Sequence, residues 1–265
     1  MHLPLSRAAA ARLDVLPQTG STNAELVARA FAGQGEDLAV LVTTDQTAGR
    51  GRLGRVWVAP PGRTLAVSVF LATGSVGPDR LGWLPLLAGL AMTRAVRVLL
   101  PGHDVTLKWP NDVQVAGLKI SGILAELVPG VGVVMGAGLN LTMTRAELPT
   151  SSSTSLALNG WNPESAVTED AMVDDALSSY LAELIPRYRS FAAAGFDAAI
   201  SGLRTEVRAA CSTIGRDVKV VLPGGEQLFG TATGIDASGR LVVVGASFDG
   251  ERSIAAGDVT HVRYA

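Results

Sequence analysis

No part of this sequence restricts the fold more than the stretch Gly49–Gly62, Gly-Arg-Gly-Arg-Leu-Gly-Arg-Val-Trp-Val-Ala-Pro-Pro-Gly. Paired prolines exclude a helix interior and a central strand, so the segment is a loop between the strand-like runs on either side. Its glycines let the backbone turn N–H groups toward an anion at close range. Its arginines add charged forks suited to phosphate or carboxylate. Gly49-x-Gly51-x-x-Gly54 has the spacing of a dinucleotide fingerprint and, with Val56, of a kinase glycine loop. Neither context is present. A dinucleotide site needs a helix opening on the third glycine and an acidic residue about 20 residues on. Here Ala59-Pro60-Pro61 blocks the helix, and Val69 and Phe70 occupy the distal position. No Gly-Lys-Ser/Thr, His-Arg-Asp or Asp-Phe-Gly tripeptide occurs in the chain. What survives is an anion-wrapping loop with Trp57 available for stacking.

The residues around the loop supply a core. At 265 residues and 48% hydrophobic, the chain suits a globular fold of one large domain, or one plus a small one. A net charge of -2 argues against nucleic acid as an obligatory partner. Cys211 and three histidines (His2, His103, His261) cannot build a disulfide framework or an ordinary Cys/His zinc site. Cys211 reads as packing and His103 as a surface turn residue. No signal sequence opens the chain, and no uninterrupted apolar run reaches the ~18–20 residues of a membrane span, which makes a cytoplasmic protein the expectation. Among 22 basic residues only Lys108, Lys119 and Lys219 are lysines, and two of them fall in one twelve-residue window. Where arginine is the default cation, lysine can mark a place that wants a compact point charge.

In chain order, residues 1–16 are too short for a domain and leave no room for a DNA-binding helix-turn-helix. Thr22 with Glu25 fits a capping box, and Glu25–Phe31 is predicted as an amphipathic helix. Leu38–Thr44 and Thr64–Leu71 are predicted strands flanking the glycine loop. Leu81–Leu100 is a long apolar helix in which Pro85 is tolerable only in the first turn. A strand is expected from Val105 into Pro110, which stops it, with Asn111-Asp112 as a turn; strands then follow a hairpin at Gly117, along Lys119–Val128 and along Val131–Leu141. Short turns between them imply an antiparallel or mixed sheet. Gly122, Gly136 and Gly138 suggest close approach of something to the sheet face. Thr150–Ser155 reads as a loop, and Thr168–Phe191 and Phe196–Cys211 as amphipathic helices. From residue 213 short strands recur at Asp217–Leu222, Gln227–Ile235, Arg240–Gly245 and His261–Tyr264, as in a small barrel of about fifty residues. The expected organisation is therefore 1–212 and 213–265.

Five segments in this order resemble biotin–protein ligases: Thr19-Gly-Ser-Thr-Asn23, Gln46-Thr-Ala-Gly-Arg-Gly-Arg-Leu-Gly-Arg-Val-Trp57, Lys108-Trp-Pro-Asn-Asp112, Lys119-Ile-Ser-Gly-Ile-Leu-Ala-Glu126 and Gly136-Ala-Gly-Leu-Asn140. The likeness runs from about residue 14 to the C-terminus, on the side of members that lack an N-terminal DNA-binding winged helix. It implies an α+β catalytic domain of the class II synthetase and lipoate-ligase kind, with a largely antiparallel mixed sheet, followed by an SH3-like barrel. It also implies ATP-dependent biotinylation of a lysine on the biotin carboxyl carrier domain of acyl-CoA carboxylases, through biotinyl-5′-AMP, with Mg2+ brought in on the ATP phosphates. On the matching positions, Ser21, Thr22, Asn23, Gln46, Gly49, Arg50, Gly51, Arg52, Lys119 and Gly122 are assigned to biotin. Arg52, Arg55, Trp57, Lys108, Asn111 and Asn140 are assigned to the nucleotide. Lys119 and Arg52 are assigned to charge stabilisation, and Asp112 to assisting deprotonation of the acceptor amine. No metal ligand is assigned. The apolar hairpin Val113–Leu118 carries no register, so Lys119 is placed by the Ile-Ser-Gly-Ile-Leu that follows it.

The resemblance leaves two rival functions. A lipoate–protein ligase shares the fold and the adenylation chemistry, and a non-catalytic biotin or biotinyl-AMP sensor would need only the pocket. The arginine–glycine loop and Lys108-Trp-Pro-Asn-Asp112 favour biotin, and the retained Lys119 favours catalysis. Monomer and homodimer remain equally open. The loop itself is expected to act as a lid, mobile when empty and ordered over the adenylate.

Overall fold

A computed structural model describes residues 1–161, 168–246, 248–255 and 257–261. Helix α1 (Pro4–Ala9), strand β1 (Arg12–Val15), helix α2 (Thr22–Phe31) and strand β2 (Ala39–Thr43) lead into the glycine loop. The loop is a minimal hairpin, β3 (Gly49–Arg50) and β4 (Val56–Trp57), closed by a 3-10 turn at Arg52–Gly54. Then come β5 (Thr64–Leu71), α3 (Pro78–Leu81), α4 (Leu84–Leu99), β6 (Val105–Lys108), β7 (Asp112–Val115), β8 (Leu118–Val128) and β9 (Gly132–Asn140). Helices α5 (Glu169–Ala193) and α6 (Leu203–Ala210) precede β10 (Asp217–Val221), β11 (Gln227–Ile235), β12 (Leu241–Gly245), β13 (Glu251–Ile254) and β14 (Asp258–His261).

The main sheet runs β1-β2-β5-β9-β8-β7-β6, antiparallel except for the parallel pair β1–β2. Strands β6, β7, β8 and β9 are joined by tight turns, as the sequence predicts, whereas β1–β2 and β5–β6 are joined through helices and β2–β5 through the glycine loop. One face carries Leu65, Val67 and Val69 of β5 into the core, where the strand meets α5, while α4 packs over β6–β9. Helix α4 lies between the sheet and α5 and is apolar nearly all round, which is what burial on both sides demands. The helical stretch Pro78–Leu99 has a mean hydropathy of 1.2, and 72% of its apolar window is buried inside the protein. The other face carries Leu41, Phe70 and Val134 against Leu26 and Ala30 of α2. That leaves the rest of this second face open for the loop.

Several local expectations change. Ser21, not Thr22, caps α2 and accepts from the Ala24 N–H at 3.4 Å. Thr22 is inside the helix, its side chain turned elsewhere. The long apolar helix begins at Leu84, with Pro85 in its first turn, and α3 stands apart before it. The helix expected over Phe196–Cys211 is only α6. Phe196 adopts φ 60° and Gly202 φ 78°, and the Asp197 carboxylate accepts from the Ala199 and Ile200 N–H groups at 2.8 and 3.0 Å. That side chain offers the backbone a turn in place of a helix, leaving Ile200 76% exposed. The last strand starts earlier than expected, at Asp258, and positions 262–264 of that expectation lie outside the described residues.

Two remote contacts organise the ends. Pro4 opens α1 without a local cap. The buried Asp174 carboxylate of α5 substitutes, accepting from the Leu5 N–H (2.9 Å), the Ser6 N–H (2.8 Å) and the Ser6 hydroxyl (2.6 Å). The C-terminal antiparallel sheet, ordered β13-β12-β11-β10-β14, docks beside the far edge of the main sheet. Trp83 Nε1–H donates to Ala237 O at 2.8 Å, and Trp109 Nε1–H donates to Gly239 O at 3.1 Å. Trp109 N–H donates to Thr213 Oγ1 at 3.1 Å, and Leu107 bridges Cys211. Edge strand β6 is thereby covered.

Candidate active site

Strand register assembles the site. Thr43, Ala66, Gly138, Gly122, Asp112 and Lys108 stand directly opposite one another across β2, β5, β9, β8, β7 and β6. Directly paired residues share a face. The row is therefore a floor of small residues with a carboxylate and an ammonium at one end. The neighbouring row on the same face is Leu41, Ser68, Gly136 and Leu124.

The floor residues are small because other groups rest on them. A Cβ on Gly138 would lie 2.7 Å from Trp57 Cζ2, and one on Gly136 would lie 2.2 Å from Asn23 Oδ1. A Gly122 Cβ would lie 3.2 Å from Lys119 Nζ and 3.6 Å from Trp57 Cζ3. The Trp57 indole thus covers Gly138 and Gly122, and its Nε1–H is buried without a partner. Gly49 backs it closely: its Cβ would meet the Trp57 carbonyl at 2.6 Å and Gln46 Nε2 at 3.0 Å. A narrow cleft of ≈ 40 Å³ lies here, bounded by Ser21, Thr22, Asn23, Gln46, Arg50 and Trp57 above the floor glycines.

The polar wall is one connected network. Gln46 Oε1 accepts the Thr22 N–H at 2.8 Å and contacts Thr22 Oγ1 at 3.1 Å. Ser68 Oγ lies 2.7 Å from Thr22 Oγ1 and 2.6 Å from Asn23 Oδ1. Asn23 Nδ2 donates to Leu124 O (3.2 Å) and Glu126 Oε1 (3.0 Å), and Glu126 in turn pairs with Arg50 of the loop at 3.6 Å. Backbone bonds from Thr47 to Thr19 O and from Ala48 to Gly20 O tie the loop entrance to the helix entrance.

Cations gather at the Asp112 end. Lys119 Nζ is 2.6 Å from Asp112 Oδ1. Arg52 donates to Asn111 Oδ1 at 3.0 Å, and Asn111 Nδ2 donates to Ile123 O at 2.8 Å. Arg55 pairs with Asp258 of β14. Burial lowers the Lys108 ammonium below its ordinary range, with Asp112 opposing and Lys119 reinforcing the shift. Burial likewise lowers Arg52, against the pull of Asp258 and Asp112.

The structure therefore brings together Ser21, Thr22, Asn23, Gln46, Gly49, Arg50, Trp57 and Gly122 at the cleft, and Arg52, Arg55, Lys108, Asn111, Asp112 and Lys119 at its charged end. Gly51 closes the loop turn through its N–H to Arg55 O at 2.7 Å. Asn140 shares the floor face but lies outside the cleft lining; its amide donates to Thr154 O at 2.8 Å and is buried by that loop. Three participants escape sequence reasoning. Glu126 carries a signal, a charge on the open face of an otherwise buried strand. Ser68 and Asp258 carry none, since each reads locally as an ordinary strand residue.

Comparisons with known proteins identify the family of the chain. The profile of the Biotin/lipoate A/B protein ligase family matches residues 15–140, and that of the Biotin protein ligase C terminal domain matches residues 213–262. The Biotin–[acetyl-CoA-carboxylase] ligase of Mycobacterium tuberculosis is 40% identical over 255 residues, covering 95% of this chain and 90% of that protein. The Bifunctional ligase/repressor BirA of Escherichia coli is 32% identical over 234 residues, covering 86% of this chain and 68% of that protein. The solved structure of the biotin protein ligase from Aquifex aeolicus in complex with biotin and ATP superposes with a TM-score of 0.72 at 25% identity, covering 96% of this chain and all of that one. With two family profiles matched and 40% identity sustained over 95% of its length, this chain belongs to the biotin/lipoate A/B protein ligase family, as a biotin protein ligase.

Proposed function

We propose that the protein is an ATP-dependent ligase that joins biotin to a lysine of a biotin carboxyl carrier domain in the cytoplasm, with 1–212 as the catalytic domain and 213–265 as an SH3-like C-terminal domain. The observation that carries this reading is the junction of a neutral donor/acceptor cleft with the cations Arg52, Arg55, Lys108 and Lys119. The Gln46 amide is oriented by the Thr22 N–H, so its Nε2 is left to donate to a ligand carbonyl. That arrangement suits the neutral ureido ring of biotin. A lipoyl dithiolane would leave these polar groups unpaired, which favours biotin.

In the first step a biotin carboxylate oxygen attacks the α-phosphorus of ATP, and pyrophosphate leaves. The carboxylate is already ionised near neutrality, so no general base is required. The obstacle is repulsion between a carboxylate and a triphosphate. Lys119, beside the floor at Gly122, can follow charge as it moves from carboxylate to phosphoryl oxygens, while Arg52, Arg55 and Lys108 hold the remaining phosphate charge. Trp57 gives the nucleotide base a stacking surface. Mg2+ would be brought in on the ATP phosphates as part of the nucleotide substrate, where it would offset phosphate charge alongside these cations.

In the second step the neutral carrier lysine attacks the acyl carbon of biotinyl-AMP, AMP leaves, and the amine loses a proton. Asp112 is assigned to assist that deprotonation. The deciding assay incubates the full chain with MgATP, biotin or lipoate, and an apo carrier domain. A mass shift on the carrier lysine with biotin is expected, and no shift with biotin would overturn the assignment.

A further inference from the structure

Glu126 stands on β8 at a position where the strand calls for an apolar side chain. Two residues away on either side, on the same face, are Leu124 and Val128. Its cross-strand partner is Val134, which is paired in turn with Phe70. Val128, Val134 and Phe70 pack with Leu26 in the small apolar cluster under α2. A carboxylate bordering such a cluster is unfavourable unless its oxygens find partners. Both do. Oε1 accepts from Asn23 Nδ2 at 3.0 Å, and Oε2 faces Arg50 Nη1 at 3.6 Å.

The Asn23 contact is the rigid half of this link. Asn23 is 4% exposed, its amide nitrogen also donates to Leu124 O at 3.2 Å, and its carbonyl accepts from Ser68 Oγ at 2.6 Å. An amide held at both ends fixes Glu126 Oε1 and leaves Oε2 turned toward the loop. The Arg50 side chain is 56% exposed, so it is the solvent-facing half. Each arginine of the β3–β4 hairpin is met from a different element: Arg50 by Glu126 of β8, Arg52 by Asn111 of the β6–β7 turn, and Arg55 by Asp258 of β14. Glu126 is the partner that also joins the polar wall of the cleft, through Asn23.

We propose that Glu126 is a positioning residue for the ligase reaction. It touches no substrate, and it pins Arg50, and with it the seated hairpin, to the cleft wall before a ligand arrives. The ordering of that arginine is then not charged against binding. The kinetic consequence rests on the biotin reading above, whereas the tethering of the loop does not.

The test compares wild type with Glu126→Gln in the full chain. Glutamine keeps an oxygen for Asn23 Nδ2 and removes the charge that faces Arg50. An exposed ion pair has a modest effect, so tryptic cleavage after Arg50, Arg52 and Arg55 in the ligand-free protein is expected to quicken about twofold to fivefold. Wild-type cleavage should also quicken as salt is raised, because salt screens such a pair, and Glu126→Gln should lose that salt dependence. In turnover the KM for biotin is expected to rise about twofold to fivefold with kcat within about twofold. Equal cleavage rates with equal salt dependence overturn the proposal. A lowered biotin KM overturns it too, since Glu126 would then compete with the ligand for Arg50 rather than position it. Should Glu126→Gln fail to fold, Arg50→Gln breaks the pair from the loop side, and wild-type cleavage after Arg52 and Arg55 there overturns the proposal equally. A wild-type protein that turns over no biotin would defeat the functional reading, while the cleavage comparison would still decide the tether.

Discussion

Replacing Gly138 with alanine would put a methyl carbon 2.7 Å from Trp57 Cζ2 and 2.8 Å from Cε2, about 1 Å inside ordinary carbon–carbon contact. The indole cannot retreat together with its backbone. Gly49 is paired with Trp57 in β3–β4, and the Trp57 carbonyl already occupies the space of a Gly49 side chain. Rotation of the side chain off the floor is the relief left. An indole that gives up about 80 Å² of apolar contact forfeits about 2 kcal/mol at about 25 cal/mol per Å². Overpacking without rotation carries a similar penalty, about 1–3 kcal/mol. Gly138→Ala should therefore destabilise the seated loop by ~2 kcal/mol, speed tryptic cleavage after Arg50, Arg52 and Arg55, and raise the KM for ATP about tenfold. A double-mutant cycle isolates the cause. In a Trp57→Ala background the same methyl meets empty space, so the added effect of Gly138→Ala on ATP KM should vanish. KM values from pyrophosphate release and unfolding curves for all four proteins supply the measurement. An equal cost of Gly138→Ala in both backgrounds would refute the seating of the indole on this glycine.

The charged end yields two further expectations. Lys119→Ala should abolish biotinyl-AMP synthesis while leaving the thermal midpoint near wild type, and unimpaired synthesis would show that Lys119 is not the charge that meets the reacting groups. Asp112→Asn should slow transfer from pre-formed biotinyl-AMP, and a wild-type transfer rate would remove Asp112 from that step. Burial holds the Lys108 pKa below its ordinary 10.5, so the unfolded chain binds more protons in that interval and this group's contribution to stability improves as pH rises through it. Binding a polyphosphate has the opposite sign. ATP affinity should decline through the alkaline range below 10.5 as Lys108 deprotonates, and Lys108→Arg should flatten that decline; identical alkaline limbs would exclude Lys108 as the titrating group. At the N-terminus, Asp174→Ala leaves the α1 donors uncapped in a buried setting and should cost about 3 kcal/mol in urea unfolding, with little change in biotin affinity. A loss under about 1 kcal/mol would mean that α1 contributes little to the cooperative fold.

Much of this molecule is written locally. The paired prolines and glycines make the 49–62 segment a loop, a short apolar, β-branched run marks β2, and a nearly all-apolar run marks α4 as a helix buried on both sides. Kinds of chemistry are legible for the same reason: arginines, two close lysines and small floor residues are individual side-chain properties. The helix cap is Ser21 rather than Thr22, whose N–H and hydroxyl both donate to Gln46 Oε1, 24 residues away. Helix α6 shortened because one carboxylate, Asp197, captured the backbone of a segment whose apolar spacing is helical.

What only the tertiary structure decided is which of these groups meet. The row Ala66–Gly138–Gly122–Asp112–Lys108 exists through strand register alone, and a one-residue slip in any strand would turn its member to the other face. Asp174 caps a helix nearly the length of the domain away in sequence, and Asp258 reaches Arg55 from the C-terminal sheet. Ser68 looks like any polar residue on an alternating strand until Thr22 and Asn23 are laid over it. Local sequence determines the conformations available to each segment and the charge it carries. Distances between segments, and so which polar groups of the cleft meet, are set by packing.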